Sequence, residues 1–422
     1  MTTDIAEPMV QELPTDPNAM LIEEARKLQQ RHRRRLQTGF VLLLLVVVIV
    51  ALVILAVGGT PIRSPRPLKG STAPTTGTDH SSVVVPRFDD PTAVATNGSD
   101  VWVVNLAGNS ITEFNAVTGS QVRIINAKAD ALHHPDGITV QGSHVWVTNS
   151  NEQLGMGGGN YNTARYSSVT ELNARNGALV RVIDAKGDGF LEPGPIAVSG
   201  SHVWVLNQNA SSFSPSRPGI ALIELSARTG SLVHVFKTNV DGLSAPLNLT
   251  ASRSDVWLSD VGGPVGSVTE INSQNGSLVR IIEATRGQLG SPDGIAVSAG
   301  RVWVENIRDT ANSVAEIKTS NGSFVRVIKA RADRFNGLFG IAAQNSHVWV
   351  TNGDFYENGS NTNTVTELDA RTGSLQRIIK LKDHGLYGPT EIVAEGSKLW
   401  VLNVDSATEL NQRNGSVVQV VR

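Results

Sequence analysis

A short pattern, Val-Trp-Val-x-Asn, first occurs at Val101–Asn105 and returns, with small variations, six times along the chain. Every tryptophan of the 422-residue chain belongs to one of these copies. The tryptophans lie 44 to 58 residues apart and are Trp102, Trp146, Trp204, Trp257, Trp303, Trp349 and Trp400. The third residue after each is Asn105, Asn149, Asn207, Asp260, Asn306, Asn352 or Asn403. A residue type used once in every unit and nowhere else indicates a repeat protein.

Each repeat contains four short apolar segments separated by polar turns. In the second repeat these segments are Ile138–Val140, the residues around Trp146, Ser168–Asn173 and Leu179–Ile183. None of the repeats shows the periodicity of an amphipathic helix, which excludes a helical solenoid. Seven units of four short strands predict an all-β, seven-bladed β-propeller of four-stranded blades, covering residues 84–422.

The turn between the third and fourth strands has the same length in every repeat. Its third strand carries one glutamate per repeat, namely Glu113, Glu171, Glu224, Glu270, Glu316, Glu367 and Glu409. A glycine follows six residues later in each case, and a left-handed glycine in a three-residue loop would place each glutamate opposite the residue ten positions on. In five repeats that residue is arginine, so we predict structural Glu–Arg pairs rather than a ring of catalytic or metal-binding carboxylates.

The N-terminal region contains eighteen consecutive apolar residues at 40–57. As a helix they would span about 27 Å, close to the hydrocarbon thickness of a bilayer. Four arginines, at positions 31, 33, 34 and 35, precede this segment, and such a basic excess marks the cytoplasmic side. We therefore predict a cytoplasmic tail at 1–38, a transmembrane helix at 39–59 and a propeller outside the plasma membrane. A cleaved signal peptide ending near Ala56-Val57-Gly58 is the alternative.

Residues 60–83 are rich in proline, serine and threonine and predict an extended linker between membrane and propeller. Within this stretch and just beyond it, Ser82–Val85 could add an outer strand to the last blade, so the sequence leaves open how the ring closes. The whole chain has 36 Lys and Arg against 38 Asp and Glu, which argues against a nucleic-acid partner. It has no cysteine, which excludes disulfides and thiolate metal sites.

The connectivity of antiparallel strands sorts the loops between two faces of the ring. The short-turn face carries the connections between first and second strands and between third and fourth strands. The long-loop face carries the connections between second and third strands and those between blades. The insertions at 150–166, 208–219 and 353–364 all fall on the long-loop face. Variable loops on a rigid scaffold are where binding usually occurs, so this face is the predicted binding face.

Seven aromatic or imidazole residues on the long-loop face are candidates for ligand binding: Tyr161, Tyr166, Tyr356, Tyr387, His133, His134 and His384. Exposed rings suit stacking on sugars, peptides or planar ligands. The alternative is that they only pack their own loops. Three further histidines, His144, His202 and His347, belong to the short-turn face, where we expect them to be solvated.

Carboxylates also occur near the predicted mouth of the central channel. Glu305 and Glu391 are the single charged residues in their respective sets of equivalent repeat positions, and Asp136 and Asp293 precede the start of two innermost strands. Such groups can act as acid and base or bind a hard cation, Mg²⁺ or Ca²⁺. Glu305 and Glu391 are thus the catalytic candidates, and Asp136, Asp293 and Glu305 the metal candidates. A solvated or arginine-paired role is the alternative for each.

The repeat Pro-Asp-Gly-Ile-x-Val…Val-Trp-Val-x-Asn…Val-Thr-Glu-Leu-Asn resembles those of NHL and YVTN-type bacterial propellers, which occur as extracytoplasmic sensor domains. It is also similar to the repeats of streptogramin (virginiamycin B) lyases. The first resemblance implies a binding module. The second implies a magnesium-dependent elimination that opens a cyclic depsipeptide ester through His and Glu residues of late blades, and Glu305 matches that set in type.

The sequence therefore favours a membrane-anchored sensor or scaffold that binds an envelope protein, a glycan or a small ligand and needs no cofactor. A metal-dependent carbon–oxygen lyase, or a lactone or ester hydrolase, is the alternative, and a mainly structural envelope component is a third hypothesis. The chain lacks the Gly-x-Ser-x-Gly elbow, phosphate-binding loop, dinucleotide fingerprint and His-Glu-x-x-His motif of common enzymes.

Overall fold

The repeats fold as seven four-stranded antiparallel sheets in a computed structural model of the chain. The structure describes residues 88–126, 131–150, 167–184, 189–208, 219–238, 241–252, 254–262, 265–285, 287–307, 312–329, 335, 337–353, 363–384 and 386–422. The predicted cytoplasmic tail, transmembrane helix and linker all lie outside these residues. In the described part of the chain no helix is long and apolar enough to cross a membrane.

Strands β1–β28 follow the chain in sets of four, one set per blade. Blade one contains Pro91–Thr96, Asp100–Asn105, Ser110–Asn115 and Gln121–Asn126. Blade two contains Pro135–Gln141, His144–Asn149, Ser168–Asn173 and Leu179–Asp184. Blade three contains Pro193–Ser199, His202–Asn207, Ile220–Ser226 and Leu232–Lys237. Blade four contains Pro246–Ala251, Asp255–Asp260, Ser267–Asn272 and Leu278–Glu283.

The last three blades have the same order, with one extra element. Blade five contains Pro292–Ser298, Arg301–Asn306, Ser313–Lys318 and Phe324–Lys329. Blade six contains Leu338–Gln344, His347–Asn352, Thr364–Asp369 and Leu375–Lys380, followed by a 3-10 helix at Leu381–His384. Blade seven contains Glu391–Glu395, Lys398–Asn403, Ser406–Asn411 and Val417–Val421. These bounds confirm the predicted seven-bladed β-propeller.

The core lies between neighbouring sheets, where the repeat tryptophans are at most 1% exposed. Trp102 of blade one, for example, packs with Leu132, Val145 and Val147 of the next repeat. A ring of this size buries a large apolar surface at every junction. The tryptophans therefore serve the packing of blades and are not available to a ligand.

The ring closes between blades seven and one. The innermost strand β25 contacts β1, and the rings of Trp400 and Phe114 meet edge to face at 5.1 Å between centroids. Phe88 packs against the same cluster. Blade seven takes its four strands from residues 391–421, and the segment Ser82–Val85 lies outside the described residues.

The five predicted Glu–Arg pairs are confirmed. Each arginine Nε lies 2.6–3.2 Å from a buried glutamate oxygen, in the pairs Glu113–Arg123, Glu171–Arg181, Glu270–Arg280, Glu316–Arg326 and Glu367–Arg377. The glycine of each third-to-fourth turn has a φ of 67–74°. Several of these arginines also donate to the turn of the following blade, as Arg181 Nη2 does to the carbonyl of Arg228 at 3.1 Å. The glutamate ring is therefore structural.

The histidines of the short-turn face keep contact with solvent, as expected, but each also pairs with a repeat glutamate, which the sequence did not predict. The Nδ1 atoms of His144, His202 and His347 lie 2.6–2.7 Å from the buried carboxylates of Glu171, Glu224 and Glu367. Each histidine begins a second strand, and its side chain lies on the same side of the sheet as the glutamate of the third strand. A glutamate that is removed from water needs such partners, so each imidazole nitrogen faces the carboxylate while 17–49% of the histidine side chain stays exposed.

Candidate functional site

The innermost strand of every blade is positioned by a short elbow on the long-loop face. An apolar residue lies 17 positions before each repeat Asn or Asp and packs between blades: Phe88, Leu132, Phe190, Leu243, Leu289, Phe335 and Leu386. The next backbone amide donates to the repeat asparagine, as His133 N does to Asn149 Oδ1 at 3.1 Å. Asn149 Nδ2 in turn donates to Ser168 and Thr170 of the third strand, both at 3.0 Å. The sequence analysis did not identify this elbow, although the constant spacing of 17 residues marks it in every repeat.

The predicted residues His133, His134 and Tyr387 all lie in these elbows. His134 has a φ of 46°, and its carbonyl accepts hydrogen bonds from the amide and the hydroxyl of Ser150, both at 3.0 Å. Both histidine side chains are partly exposed. Tyr387 holds the position of His133 in blade seven and is 46% exposed. These three residues thus lie in the connections that lead into innermost strands, on the predicted binding face.

The remaining predicted ligand-binding residues are divided between described and undescribed parts of the chain. His384 is exposed at the end of the 3-10 helix that leads from blade six to blade seven. Tyr161, Tyr166 and Tyr356 lie outside the described residues. The structure therefore brings His384 and Tyr387 into one connection, and the grouping of the loop tyrosines stays a prediction.

Adjacent blades are joined at the channel mouth by side chains at the end of the second strand. Thr148 accepts from the amide of Gly137 and donates to the carbonyl of Gly194 in the next blade, both at 2.8 Å. Ser259 donates in the same way to the carbonyl of Asp293 at 2.6 Å. The side chain at this repeat position therefore faces the innermost strand of the following blade.

Asp136 is fixed by a neutral partner. Gln208 of blade three donates from Nε2 to Asp136 Oδ2 at 3.0 Å. The amide of Gln208 lies over Gly194, where a Cβ would collide with it. Gly194 thus leaves the space through which Gln208 reaches Asp136. The Asp136 carboxylate therefore forms a hydrogen bond between blades two and three.

Glu305 holds the position of Thr148 and Ser259 in blade five. Its side chain is completely buried, and neither carboxylate oxygen has a hydrogen-bond partner among the described residues. Its Oε2 lies against Gly294 so closely that a Cβ there would overlap it. A buried carboxylate without a partner is costly unless it takes up a proton or meets a cation.

Glu391 begins the innermost strand of blade seven and is partly exposed. Its Oε1 accepts from the amide of Ile392 at 3.3 Å. A Cβ at Gly340 of blade six would come within 3.2 Å of the Glu391 Cα, so the absence of a side chain lets the two strands approach. Glu391 is thus held at the junction of blades six and seven.

The carboxylates of blades five and seven influence one another. Burial raises the pKa of Glu305 well above its ordinary value, and the charges of Asp293 and Glu391 raise it further. Burial also raises the pKa of Glu391 to about 7, with a smaller upward effect of Asp293, and the Ile392 amide opposes the rise. Asp293, Glu305 and Glu391 therefore form one electrostatic unit, which we call the acidic half of the mouth, whereas Asp136 lies in the opposite half.

The metal candidates Asp136, Asp293 and Glu305 are all among the residues that the structure describes. Within that part of the chain, no three His, Asp or Glu side chains lie close enough together to hold one metal ion. Asp136 is engaged by Gln208, and Asp293 and Glu305 interact through charge. The roles of Asp136, Asp293 and Glu305 as ligands of Mg²⁺ or Ca²⁺ therefore stay predictions.

The fold and mouth define a seven-bladed β-propeller with an acidic channel entrance. A streptogramin B lyase structure is similar over 76% of this chain and 93% of its own, with 16% identity and a TM-score of 0.53. A protein of unknown function from Desulfotomaculum acetoxidans is similar over 76% and 94%, with 13% identity and a TM-score of 0.55. Hydrazine synthase from Kuenenia stuttgartiensis is similar over 82% and 99%, with 14% identity and a TM-score of 0.54.

At these identities the similarity shows the fold and nothing about activity. It confirms that the chain shares its propeller architecture with streptogramin B lyase, as the repeat pattern indicated. No protein-family model matches the sequence. No curated protein matches it either.

Proposed function

We propose that this protein is a single-pass plasma-membrane protein whose propeller lies outside the cell and binds a ligand or partner protein through its long-loop face. The observation that carries the binding proposal is the contrast between the two faces. On the short-turn face the third-to-fourth turns have one length, their glycines have a φ of 67–74°, and five of these glycines lie against the arginine of the preceding blade. The long-loop face carries the three insertions, the exposed Tyr387 and the acidic half of the mouth.

The chemistry of the long-loop face suits an envelope protein, a glycan or a small ligand. Tyr387 offers an exposed ring beside a channel whose edge carries titratable carboxylates. Aromatic rings supply stacking surface, and carboxylates fix polar groups of a ligand. The rigid ring keeps both in place, so that binding requires little reorganisation of the scaffold.

The binding proposal is tested with the full-length protein in detergent or lipid nanodiscs against purified envelope glycans and envelope proteins. We expect Tyr387→Ala and Tyr356→Ala each to weaken binding about tenfold, as expected for loss of a central aromatic contact. The matched control is Val117→Ser, because Val117 is 70% exposed in a turn of the short-turn face. Binding that depends on Val117 but on neither tyrosine would place the site on the wrong face and contradict the proposal.

The membrane proposal is tested separately in intact cells. Tags at each end are probed with an external protease, and the membrane fraction is washed with alkaline carbonate. A retained, uncleaved chain with a protected N-terminal tag and an accessible C-terminal tag is the expected result. Recovery of a shortened chain in the soluble external fraction would instead support signal-peptide cleavage.

A second candidate function is a lyase or hydrolase, favoured by one observation. Glu391 has a pKa raised to about 7 beside a buried acid, and groups with such pKa values can transfer protons near neutral pH. Screening of lactones and esters with and without Mg²⁺ or Ca²⁺, followed by Glu391→Gln, tests it. Turnover that survives this substitution would remove Glu391 from the reaction.

A further inference from the structure

The two halves of the channel mouth differ in how their carboxylates are neutralised. Asp136 has the side-chain amide of Gln208 at 3.0 Å. In the acidic half, by contrast, no described Lys or Arg pairs with Glu305 or Glu391, and the charges that act on Glu305 are those of two other acids. Two acids without a described basic partner therefore lie on the side of blades five to seven.

We infer that the acidic half of the mouth, formed by Asp293, Glu305 and Glu391, binds the ammonium or guanidinium group of an organic ligand. The inference rests on the proposed function, since it names the chemical class of ligand that the long-loop face takes. Glu391 is the partly exposed anion that meets the cation directly, and Glu305 is the buried acid behind it.

The first support is the state of Glu305. A carboxylate that is 0% exposed and has two oxygens without hydrogen-bond partners in the described structure has an unmet need for a donor. The equivalent hydroxyls in other blades, Thr148 and Ser259, donate to the innermost strand of the next blade. Glu305 can donate in that way only while it carries a proton, and its ionised form has no donor among the described residues and would need a cation.

The second support is an aromatic residue, Phe339, in the blade between those that carry Glu305 and Glu391. Phe339 occupies in blade six the position that Asp293 occupies in blade five, directly before a glycine of the innermost strand. Its ring lies 2.9 Å from the Cβ position of Gly353, with the carbonyl of Pro389 at 3.0 Å from the same point, and it is partly exposed. A partly exposed aromatic ring in the blade between those that carry Glu305 and Glu391 can add a cation–π contact to an organic cation bound there.

The geometry favours an organic cation over a metal ion. Mg²⁺ and Ca²⁺ require several oxygens that converge at roughly 2.0–2.6 Å from one point. No such trio of acidic or histidine side chains exists among the described residues. Ammonium and guanidinium groups carry several donors, and each donor can reach a separate carboxylate at about 2.8 Å.

Binding of a cation should release protons. Burial and neighbouring charge favour the protonated form of Glu305, and Glu391 has a pKa of about 7, so the unliganded site holds protons that a cation would displace. The apparent affinity should therefore rise as the pH increases from about 6 to about 8. Above that range the gain should level off as Glu391 becomes fully ionised.

The test is isothermal titration of the full-length protein in detergent with n-butylammonium and with ethylguanidinium at constant ionic strength. The uncharged n-butanol controls for apolar binding, and Mg²⁺ and Ca²⁺ control for simple charge. We expect saturable binding of at least one organic cation, weakened about fivefold or more by Glu391→Gln and by Glu305→Gln. Asp136→Asn is the matched control and should change the affinity less than about twofold, because that acid lies in the other half of the mouth.

Several results would overturn the inference. These are no saturable binding of either organic cation, equal binding by wild type, Glu305→Gln and Glu391→Gln, or binding of Mg²⁺ or Ca²⁺ without the organic probes. Thermal unfolding of each variant checks that the ring is intact, and Phe339→Leu, which keeps an apolar side chain, should weaken the cation without unfolding the blade. If no organic cation binds but an envelope ligand still binds in a tyrosine-dependent way, the inference fails and the proposed function stands. If neither binds, both are overturned.

Discussion

The side-chain amide of Gln419 in the last strand donates a hydrogen bond to the main-chain carbonyl of Ala116 in the first blade at 3.1 Å. The same nitrogen lies 2.6 Å from Glu409 Oε2. Gln419 thus takes the place of the arginine that in four other blades joins the repeat glutamate to the next turn, as Arg181 joins Glu171 to Arg228. The closing junction of the ring is built like the internal ones.

From this relationship we predict that Gln419→Ala lowers the free energy of unfolding by about 1–2 kcal/mol, because it removes two hydrogen bonds and leaves Glu409 with fewer partners. Chemical denaturation of the full-length protein measures the change. Gln376→Ala is the control, since Gln376 is exposed on the outer strand of blade six. Equal effects of the two substitutions would show that the 419–116 contact contributes nothing to closure.

Two glycine substitutions separate backbone strain from crowding. Gly177 has a φ of 68°, and a Cβ there would lie 2.8 Å from the Cδ of Arg123. Gly142 has a φ of 59° and nothing within 4 Å of its Cβ position. We expect Gly142→Ala to cost about 1 kcal/mol from strain alone, and Gly177→Ala to cost about 1–3 kcal/mol more from displacement of the arginine. Thermal denaturation gives both values, and a larger loss for Gly142→Ala would refute the proposed crowding.

Blade four should titrate in the neutral range. Burial raises the pKa of Glu270 to about 7, Arg280 opposes the rise, and Asp255 adds to it. Because the folded state holds this proton more tightly than the unfolded chain, the contribution to stability is full below pH 4.5, the ordinary value, and is lost as the pH rises to about 7. Asp255→Asn should lower that pKa and raise the free energy of unfolding by about 1 kcal/mol at about pH 8.

Denaturation at a series of pH values, with NMR titration of the Glu270 carboxyl, tests this effect. A second substitution, Asp255→His, imitates the pairing of His144 with Glu171. Like Asp255→Asn, it should lower the pKa of Glu270. A pKa of Glu270 that is unchanged in both variants would contradict the assigned role of Asp255.

Glu305→Gln should stabilise the protein above neutral pH. The folded state favours protonated Glu305, so wild type loses stability as the pH rises above the ordinary value of 4.5. The amide keeps the shape without the charge and should raise the free energy of unfolding by about 1–3 kcal/mol at about pH 8, with little change at about pH 5. Asp405→Asn, at an exposed position, controls for net charge. A destabilising effect of Glu305→Gln at high pH would show that an ionised Glu305 is held by partners.

The repeat determined the fold, because each unit carries its own complete set of local signals. The spacing of Glu171 and Gly177 sets a hairpin register with a left-handed residue, and that register follows from turn geometry alone. A tryptophan such as Trp146 occurs once in every repeat because each junction between blades is filled by one large ring. Each repeat carries these two signals, and all seven blades show the left-handed turn glycine and the buried tryptophan.

The tertiary structure decided which charges are satisfied, because that depends on the neighbouring blade. The sequence predicted only solvent contact for His144, but its half-exposed imidazole also meets Glu171 across the sheet. It treated Asp136 and Glu305 alike, but the first meets Gln208, 72 residues away in the chain, and the second has no described partner. Contacts between blades join residues far apart in sequence, and burial sets the cost of each charge. Only the assembled ring could therefore distinguish Asp136, which meets a side-chain amide, from Glu305, whose oxygens have no hydrogen-bond partner among the described residues.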